Sequence, residues 1–392
     1  MHRTEQVTQI KTMLARLDAG TNVDAGGVRY NPTHSYVDPD LAEREWAEFF
    51  VGQPQLIGLS GDLPGPGSFL TIDDLDVPIL ATRAKDGRFR AFVNACRHRG
   101  VILETETRGS SRRLTCEFHN WSYDLDGTLV GLPKTDHFGD LDRDCLALIE
   151  LPAVEWHGLL WVSTDPDGEL DIDGLLGEQL AAELASWDFG RLKHLTADHY
   201  DVACNWKLAM DTFGETYHFP ALHKNTIALG FHGNVQCYDT FGPNHRMLLV
   251  RREIDELRRL PEDQWDIRVA ALPVYWLFPN VQLMPGYHGC YLVRAYPIPG
   301  QPGNHVSRIN FYTGAEIDPE YDDGLRSVAA GFAEIIRDED YVMSASQQRT
   351  AASGALKHVV FGRNEPALHH YHNTYRTRLG MEPLPLVEVG VG

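Results

Sequence analysis

Long apolar runs are missing from this 392-residue chain: no stretch approaches the roughly 18 apolar residues that a membrane-spanning helix needs. The opening residues, Met-His-Arg-Thr-Glu-Gln, lack the apolar core of a secretory signal. From these two absences we expect a cytoplasmic protein with no membrane partner. Positive charge is scarce: 35 Lys and Arg stand against 55 Asp and Glu, a formal net charge of −20. That balance argues against nucleic acid and anionic membranes as partners of the whole molecule. Cysteine is limited to six residues, with no framework spacing, which fits reduced thiols in a reducing compartment. There is no phosphate-cradling Gly loop and no nicotinamide or flavin fingerprint. Internal repeats and low-complexity segments are also absent. The length suggests two or three domains, and 43% hydrophobic residues are enough for a sizeable core.

What the chain does have is a pair of short clips, Cys96-Arg97-His98 and Cys116-Glu117-Phe118-His119, separated by seventeen residues. Each offers one thiolate and one imidazole. Two thiolates can hold one iron of a [2Fe–2S] cluster while two imidazoles hold the other, which is the Rieske ligand set. The spacing fits two hairpin tips that pinch a cluster between them. A tetrahedral zinc site is the alternative. Zinc fingers, however, pair Cys with Cys and His with His, whereas here the two types alternate. Respiratory-complex Rieske subunits are also disfavoured, because they carry an extra Cys beside each clip; here the neighbours are Arg97, Arg99, Glu117 and Asn120.

Turn signals at 64–67, 85–87 and 126–127 divide residues 48–165 into short strands, a small antiparallel β domain. Residues 166–392 read as a larger, catalytic domain. It has an acidic helix at 175–187, strands at 192–204, a helix starting near Asn205, five strands between 247 and 312, and helices at about 320–350 and 365–379. Residues 1–47 read as a helical segment packing on that larger domain, with helical spacing from Gln6 to Leu17. The fold class expected is therefore α+β: the small β domain plus a larger one with an antiparallel sheet backed by helices.

A second constellation lies in Asn205–His223. His218 and His223 are five residues apart, about 140° on a straight helix, too far for one metal. Pro220 between them breaks the helical hydrogen bonding and lets the backbone turn. Two histidines plus a carboxylate, with positions left open, form the facial triad of non-haem Fe(II) oxygenases.

The order Cys-x-His-x17-Cys-x2-His, then Asn-Trp-Lys and Glu-x2-His-x4-His, resembles the alpha subunit of Rieske non-haem iron aromatic-ring-hydroxylating oxygenases, over nearly the whole chain. The resemblance implies a third iron ligand on a late helix, eight residues before a Gln. Asp340, followed by Gln348, takes that role, with Asp338 as its nearest competitor. It also implies that Glu215 bridges the two metal centres, linking His218 to the cluster ligand His119 of a neighbouring subunit. Glu-x-x-His spacing would place Glu215 and His218 on one helix face. Many relatives have Glu-Asn where this chain has Asp211-Thr212. Asp211, one turn before Glu215, is a candidate supporting residue behind the iron ligands, and two nearby carboxylates would raise a pKa.

The implied activity is that of an oxygenase component using O2. Its electrons come from a separate NAD(P)H-linked reductase or ferredoxin, and the chains form a homotrimer of head-to-tail contacts. The substrate would be an aromatic or largely apolar small molecule undergoing mono- or cis-dihydroxylation. Phe213, Phe219, Trp276 and Met284 are candidate pocket residues. O- or N-demethylation and quaternary-ammonium monooxygenation, with Tyr275 and Trp276 as a cation–π cage, are the alternative. A Rieske electron carrier without oxygenase activity is a remote one. Arg97, Arg99, Arg108, Arg112 and Arg113 form a basic collar around the clips that could steer an acidic donor. His369, His370 and His372 are expected to pack or hydrogen-bond on the last helix.

Overall fold

The computed structural model describes residues 1–51, 53–314 and 319–387. It divides into two compact units. One comprises Ala47–Ile172 and Asp188–His194; the other comprises Met1–Trp46, Asp173–Trp187 and Leu195–Gly392.

The smaller unit is built from short antiparallel strands. A five-stranded sheet runs in the order Glu150–Leu151, Phe89–Val93, Ile79–Arg83, Ser68–Ile72, Arg108–Ser110. A three-stranded sheet joins Ala153–Trp156, Leu159–Val162 and Gln55–Leu59, and a smaller one joins Leu114–Thr115, Ser122–Tyr123 and Leu129–Gly131. Between Trp156 and Leu159 the chain reverses in two residues with positive φ, His157 at 46° and Gly158 at 87°. This is the tight hairpin turn whose twist matches that of the flanking strands. The core gathers Phe69, Leu80, Phe92, Trp121 and Tyr123, and it encloses Cys96 and Cys116.

The larger unit is organised by a seven-stranded sheet. Six strands form a continuous antiparallel meander: Phe231–Phe241, Asn244–Arg251, Ala271–Leu277, Val281–Pro285, Gly289–Ile298 and Gln301–Thr313. Lys193–Val202 completes the edge beside the last of them. Side chains alternate across the sheet. Leu248, Val250 and Ala271 face the N-terminal helix Arg3–Ala19, packing with Ile10, Met13 and Leu14. His245, Met247, Leu249 and Arg251 point the other way, opposite Trp276, Val274 and Leu272. This second face carries the site.

The N-terminal helix, the meander and the closing helices lie close to where the sequence places them. Two elements do not. The helix expected to carry the second motif stops at Asp211. Strand Arg29–Pro32 pairs with His358–Phe361, a long-range contact that no local pattern signals. No helix among the described residues is long and apolar enough to cross a membrane.

A Cβ at position 158 would fall against the backbone of Phe189 and Gly190, and the positive φ strains any residue but glycine. Gly158→Ala should therefore lower stability by about 1–3 kcal/mol, read as a drop in the denaturant midpoint. An unchanged midpoint would contradict this packing.

Candidate metal centres

The two clips are matched loops. The Cys96 N–H donates to Val101 O (2.8 Å) and the Gly100 N–H to Cys96 O (2.8 Å). In the other, the Cys116 N–H donates to Trp121 O (2.8 Å) and the Asn120 N–H to Cys116 O (2.9 Å). Offsets are identical, and the fourth residue after each Cys has positive φ, Gly100 at 72° and Asn120 at 59°. Glycine and asparagine are the residues that tolerate that conformation. Both thiols are buried while His119 is exposed. The Tyr123 hydroxyl ties the loops together, accepting from the Arg97 N–H (3.0 Å) and lying 3.5 Å from Cys96 Sγ.

The donor set fits a cluster. Rings of His98 and His119 lie 4.5 Å apart, and Trp121 stacks on His98 at 4.8 Å. Nδ1 of His98 is enclosed and has no hydrogen-bond partner among the described residues. Burial, with His119 and Arg99 nearby, holds the His98 pKa below its usual value, favouring the neutral ring that a metal takes. Of the collar, Arg108 is committed to the buried Asp62 (2.8 Å), whereas Arg99, Arg112 and Arg113 are exposed.

The second centre is assembled by chain turns rather than by one helix. Asn205 caps helix Trp206–Asp211, its side chain accepting from the Lys207 N–H. Gly214 then passes against Leu368 and Tyr371, where a Cβ would come within 2.6 and 2.8 Å. The helix has already ended at Asp211, so Glu215 and His218 share a turn and not a helix face, contrary to expectation. The Glu215 carboxylate accepts from the backbone N–H groups of Tyr217 and His218 and bonds His218 Nδ1. Around Pro220 a single turn closes, with the Leu222 N–H donating to His218 O (2.8 Å) and the His223 N–H to Phe219 O (3.1 Å). The two imidazole centroids end 4.9 Å apart.

Asp340 meets them from a wide helical turn, Ile336–Asp340, between helices Pro319–Ile335 and Tyr341–Ala352. Such π-turns re-aim side chains and are frequent at functional sites. Its Oδ1 lies 3.5 Å from His218 Nε2 and 3.3 Å from His223 Nε2, and one donor atom from each residue falls within 4.8 Å of the others. Burial alone would lower both histidine pKa values. Asp340, with Glu215 on His218 and Glu339 on His223, outweighs it, and His218 rises to about 9. Burial would raise Asp340, but the two histidines hold it below the usual carboxylate range. In the metal-free chain protons thus supply a positive charge that a divalent cation would supply instead. Asp338 is exposed and paired with Arg337.

Glu339 has a role that the sequence does not announce. Its Oε2 lies 2.6 Å from His223 Nδ1 and accepts from Thr226 Oγ1 (3.0 Å). On a regular helix Glu339 would point about 100° away from Asp340; only the wide turn lets both reach His223. Asp211 points elsewhere: its carboxylate lies 2.9 Å from His372 Nε2 and accepts from the Tyr36 hydroxyl (2.9 Å), tethering the short helix to helix Pro366–Arg378. His369 and His370 also bond neighbours, Arg29 and Pro243 O.

A cavity of about 480 Å³ opens onto the three donors, within the range of small-molecule sites. Phe213, Phe219 and Met284 line it, as expected. Trp276 does not. It shares the sheet face with Leu272 and Val274, but helix Pro366–Arg378 covers that end through Tyr371 and Tyr375. Tyr275 lies on the opposite face, donating to the Glu183 carboxylate. Phe231, Tyr291, Phe311 and Phe332 line the cavity instead. Helix Pro319–Ile335 contributes Leu325, Val328, Phe332 and Ile335, an apolar stripe at helical spacing.

Residues 53–151 match the family model of the Rieske [2Fe-2S] domain, and 189–381 match that of the ring hydroxylating alpha subunit catalytic domain. The glycine betaine monooxygenase oxygenase subunit of Chromohalobacter salexigens is 32% identical over 196 residues, 50% of this chain and 43% of that protein. The chlorobenzene dioxygenase alpha subunit of a Cupriavidus species is 30% identical over 214 residues, 53% and 47% respectively. The chain thus spans less than half the length of these curated relatives. A quaternary ammonium Rieske monooxygenase has the same fold, with a TM-score of 0.76 at 19% identity, covering 90% of this chain and 96% of that one.

Asp340→Ala should remove one iron per chain and leave the visible absorbance of the cluster intact. Glu339→Gln, which frees His223 to rotate, should weaken retention of that iron about 10- to 100-fold. Full iron content in Asp340→Ala would overturn the ligand assignment.

Proposed function

The chain belongs to the alpha-subunit family of Rieske ring-hydroxylating oxygenases, and from that premise we propose that it is the oxygenase component of a multi-protein system that hydroxylates an aromatic or largely apolar small molecule. The observation that carries the reading is the convergence of His218, His223 and Asp340 in the wall of a cavity lined mostly by apolar side chains. When bound, the mononuclear iron supplies the activation of O2 and the [2Fe–2S] cluster supplies single electrons. Cys96 and Cys116 would hold one cluster iron, His98 and His119 the other.

The remaining work belongs to the protein. Glu215 and Glu339 face Nδ1 of His218 and His223 and would hold the Nδ1–H there, so that each Nε2, beside Asp340, is the atom that gives up its proton to a metal. The hydrocarbon and aromatic lining excludes water and orients a flat or compact substrate. Glu215 is also the candidate bridge to the cluster ligand His119 of a neighbouring subunit. A homotrimer closed by head-to-tail contacts would bring the two together. One quaternary ammonium Rieske monooxygenase of this fold is described with inter-subunit electron transfer, which supports that arrangement. The same relatives keep ammonium substrates as the second reading. Of its expected cage, Tyr275 lies on the opposite sheet face and Trp276 is covered by helix Pro366–Arg378, so that reading would rest on the aromatic rings that line the cavity.

Electrons would arrive from a ferredoxin or flavin reductase at the exposed arginines beside the clips. Reversing Arg112 and Arg113 to Glu should slow cluster reduction several-fold at low salt and flatten its salt dependence; an unchanged rate would remove the docking role. In a single turnover of the chemically reduced, iron-loaded protein, an aromatic product gaining two oxygens and two hydrogens is the expected result. One added oxygen, or loss of a methyl group, would favour the second reading. No oxygen in any product would contradict the function.

A further inference from the structure

Among the described residues that line the cavity, one arginine has no carboxylate within ion-pair distance. Arg251 ends strand Asn244–Arg251 on the site face, opposite Phe231, and its side chain lines the cavity. Its guanidinium carbon stands 5.0 Å over the Phe231 ring. Nε is enclosed and makes no hydrogen bond. Among the described residues no carboxylate lies within ion-pair distance, although Glu215 and Asp340 line the same cavity. Glu253 attracts it from two residues away but is exposed to solvent.

The same strand carries a second, fully buried arginine for comparison. Arg246, on the opposite face, is ringed by Glu183, Glu5 and Asp239. Both arginines stand over a phenyl ring, but among the described residues Arg251 has no such carboxylate. Burial pulls its pKa down, yet a guanidinium does not deprotonate in proteins. The charge therefore stays, on a half-buried side chain that lines a cavity sized for a small molecule.

We propose that Arg251 is the substrate's anchor. Its planar fork would take a carboxylate in two parallel hydrogen bonds, which makes the substrate class a small carboxylic acid whose remainder is aromatic, aliphatic or trimethylammonium. This rests on the oxygenase reading for the fate of the bound acid, but not for its binding. Arg251 is a specificity residue: it selects which end of the molecule lies away from the three metal ligands.

The test is calorimetric titration of the iron-loaded protein with matched pairs. These are benzoate and benzamide, 3-phenylpropionate and its amide, and a trimethylammonium carboxylate and its methyl ester. At least one acid should bind about 10- to 100-fold more tightly than its neutral partner, and the pair preferred tells an aromatic acid from a betaine-like one. In Arg251→Met that ratio should collapse to near unity, while Arg251→Lys, which keeps charge without the fork, should retain part of it. Equal binding of acid and neutral partner by the unaltered protein, or a ratio unmoved in Arg251→Met, would overturn the proposal. Arg251-dependent binding of an acid that is never oxygenated in a single turnover would leave the anchor standing and sink the oxygenase reading. Equal binding and oxygenation of the acids by the unaltered protein and Arg251→Met would do the reverse.

Discussion

A buried carboxylate between two imidazoles is the constraint on which the larger unit depends. Asp340 is only 5% exposed, and an uncompensated charge there would cost on the order of several kcal/mol. His218 and His223 compensate it, and each must be held in place from behind. Glu215 and Glu339 do that. The backbone meets the same demand: the helix ends at Asp211, the chain turns about Pro220, and a late helix widens at Ile336–Asp340 so that neighbouring residues reach one imidazole from two sides. Farther along, Gln348 accepts from the Asn205 N–H (2.9 Å) and donates to Tyr36 O (3.1 Å). It thereby locks the helix after Asp340 to the start of the segment that carries the histidines.

The sheet divides labour by residue parity. One face buries the N-terminal helix and a saturated ion cluster around Arg246; the other carries the apolar cavity, the three donors and Arg251. A site in which almost every wall is hydrocarbon, one patch gathers metal donors, and one cation is left uncommitted has a built-in direction. Such a cavity discriminates by which group meets the cation and which carbon meets the metal, not by shape alone. In the smaller unit the logic is local: two loops of equal geometry, each closed by a residue that accepts positive φ, present a thiol inward and an imidazole outward.

Much of this was legible in the sequence because the chemistry is carried by short, ordered motifs. The cluster clips and the candidate pair His218 and His223 stand out by residue type and spacing, the family resemblance follows from their order, and Asp340 follows from that resemblance. The alternation of the meander strands was also readable. What failed were inferences that extended a local pattern past its end. Glu-x-x-His looks helical, but the helix ends at Asp211, before Glu215. Trp276 has the right parity for the cavity, but a helix 90 residues later covers it. Asp211 is near Glu215 in sequence, yet Tyr36 and His372, both distant, claim its carboxylate. Glu339 and Arg251 escaped notice because their roles depend on a wide turn and on the closing of a cavity, neither of which has a residue signature.

The central claim is that one chain holds two chemically distinct iron centres. Mössbauer spectroscopy of the 57Fe-enriched, reduced protein addresses it most directly. The account predicts a cluster whose two irons differ, one in thiolate and one in imidazole surroundings, and a third high-spin ferrous component of equal area with nitrogen and oxygen ligands. Two equivalent sulfur-ligated irons, or no third component, would contradict it.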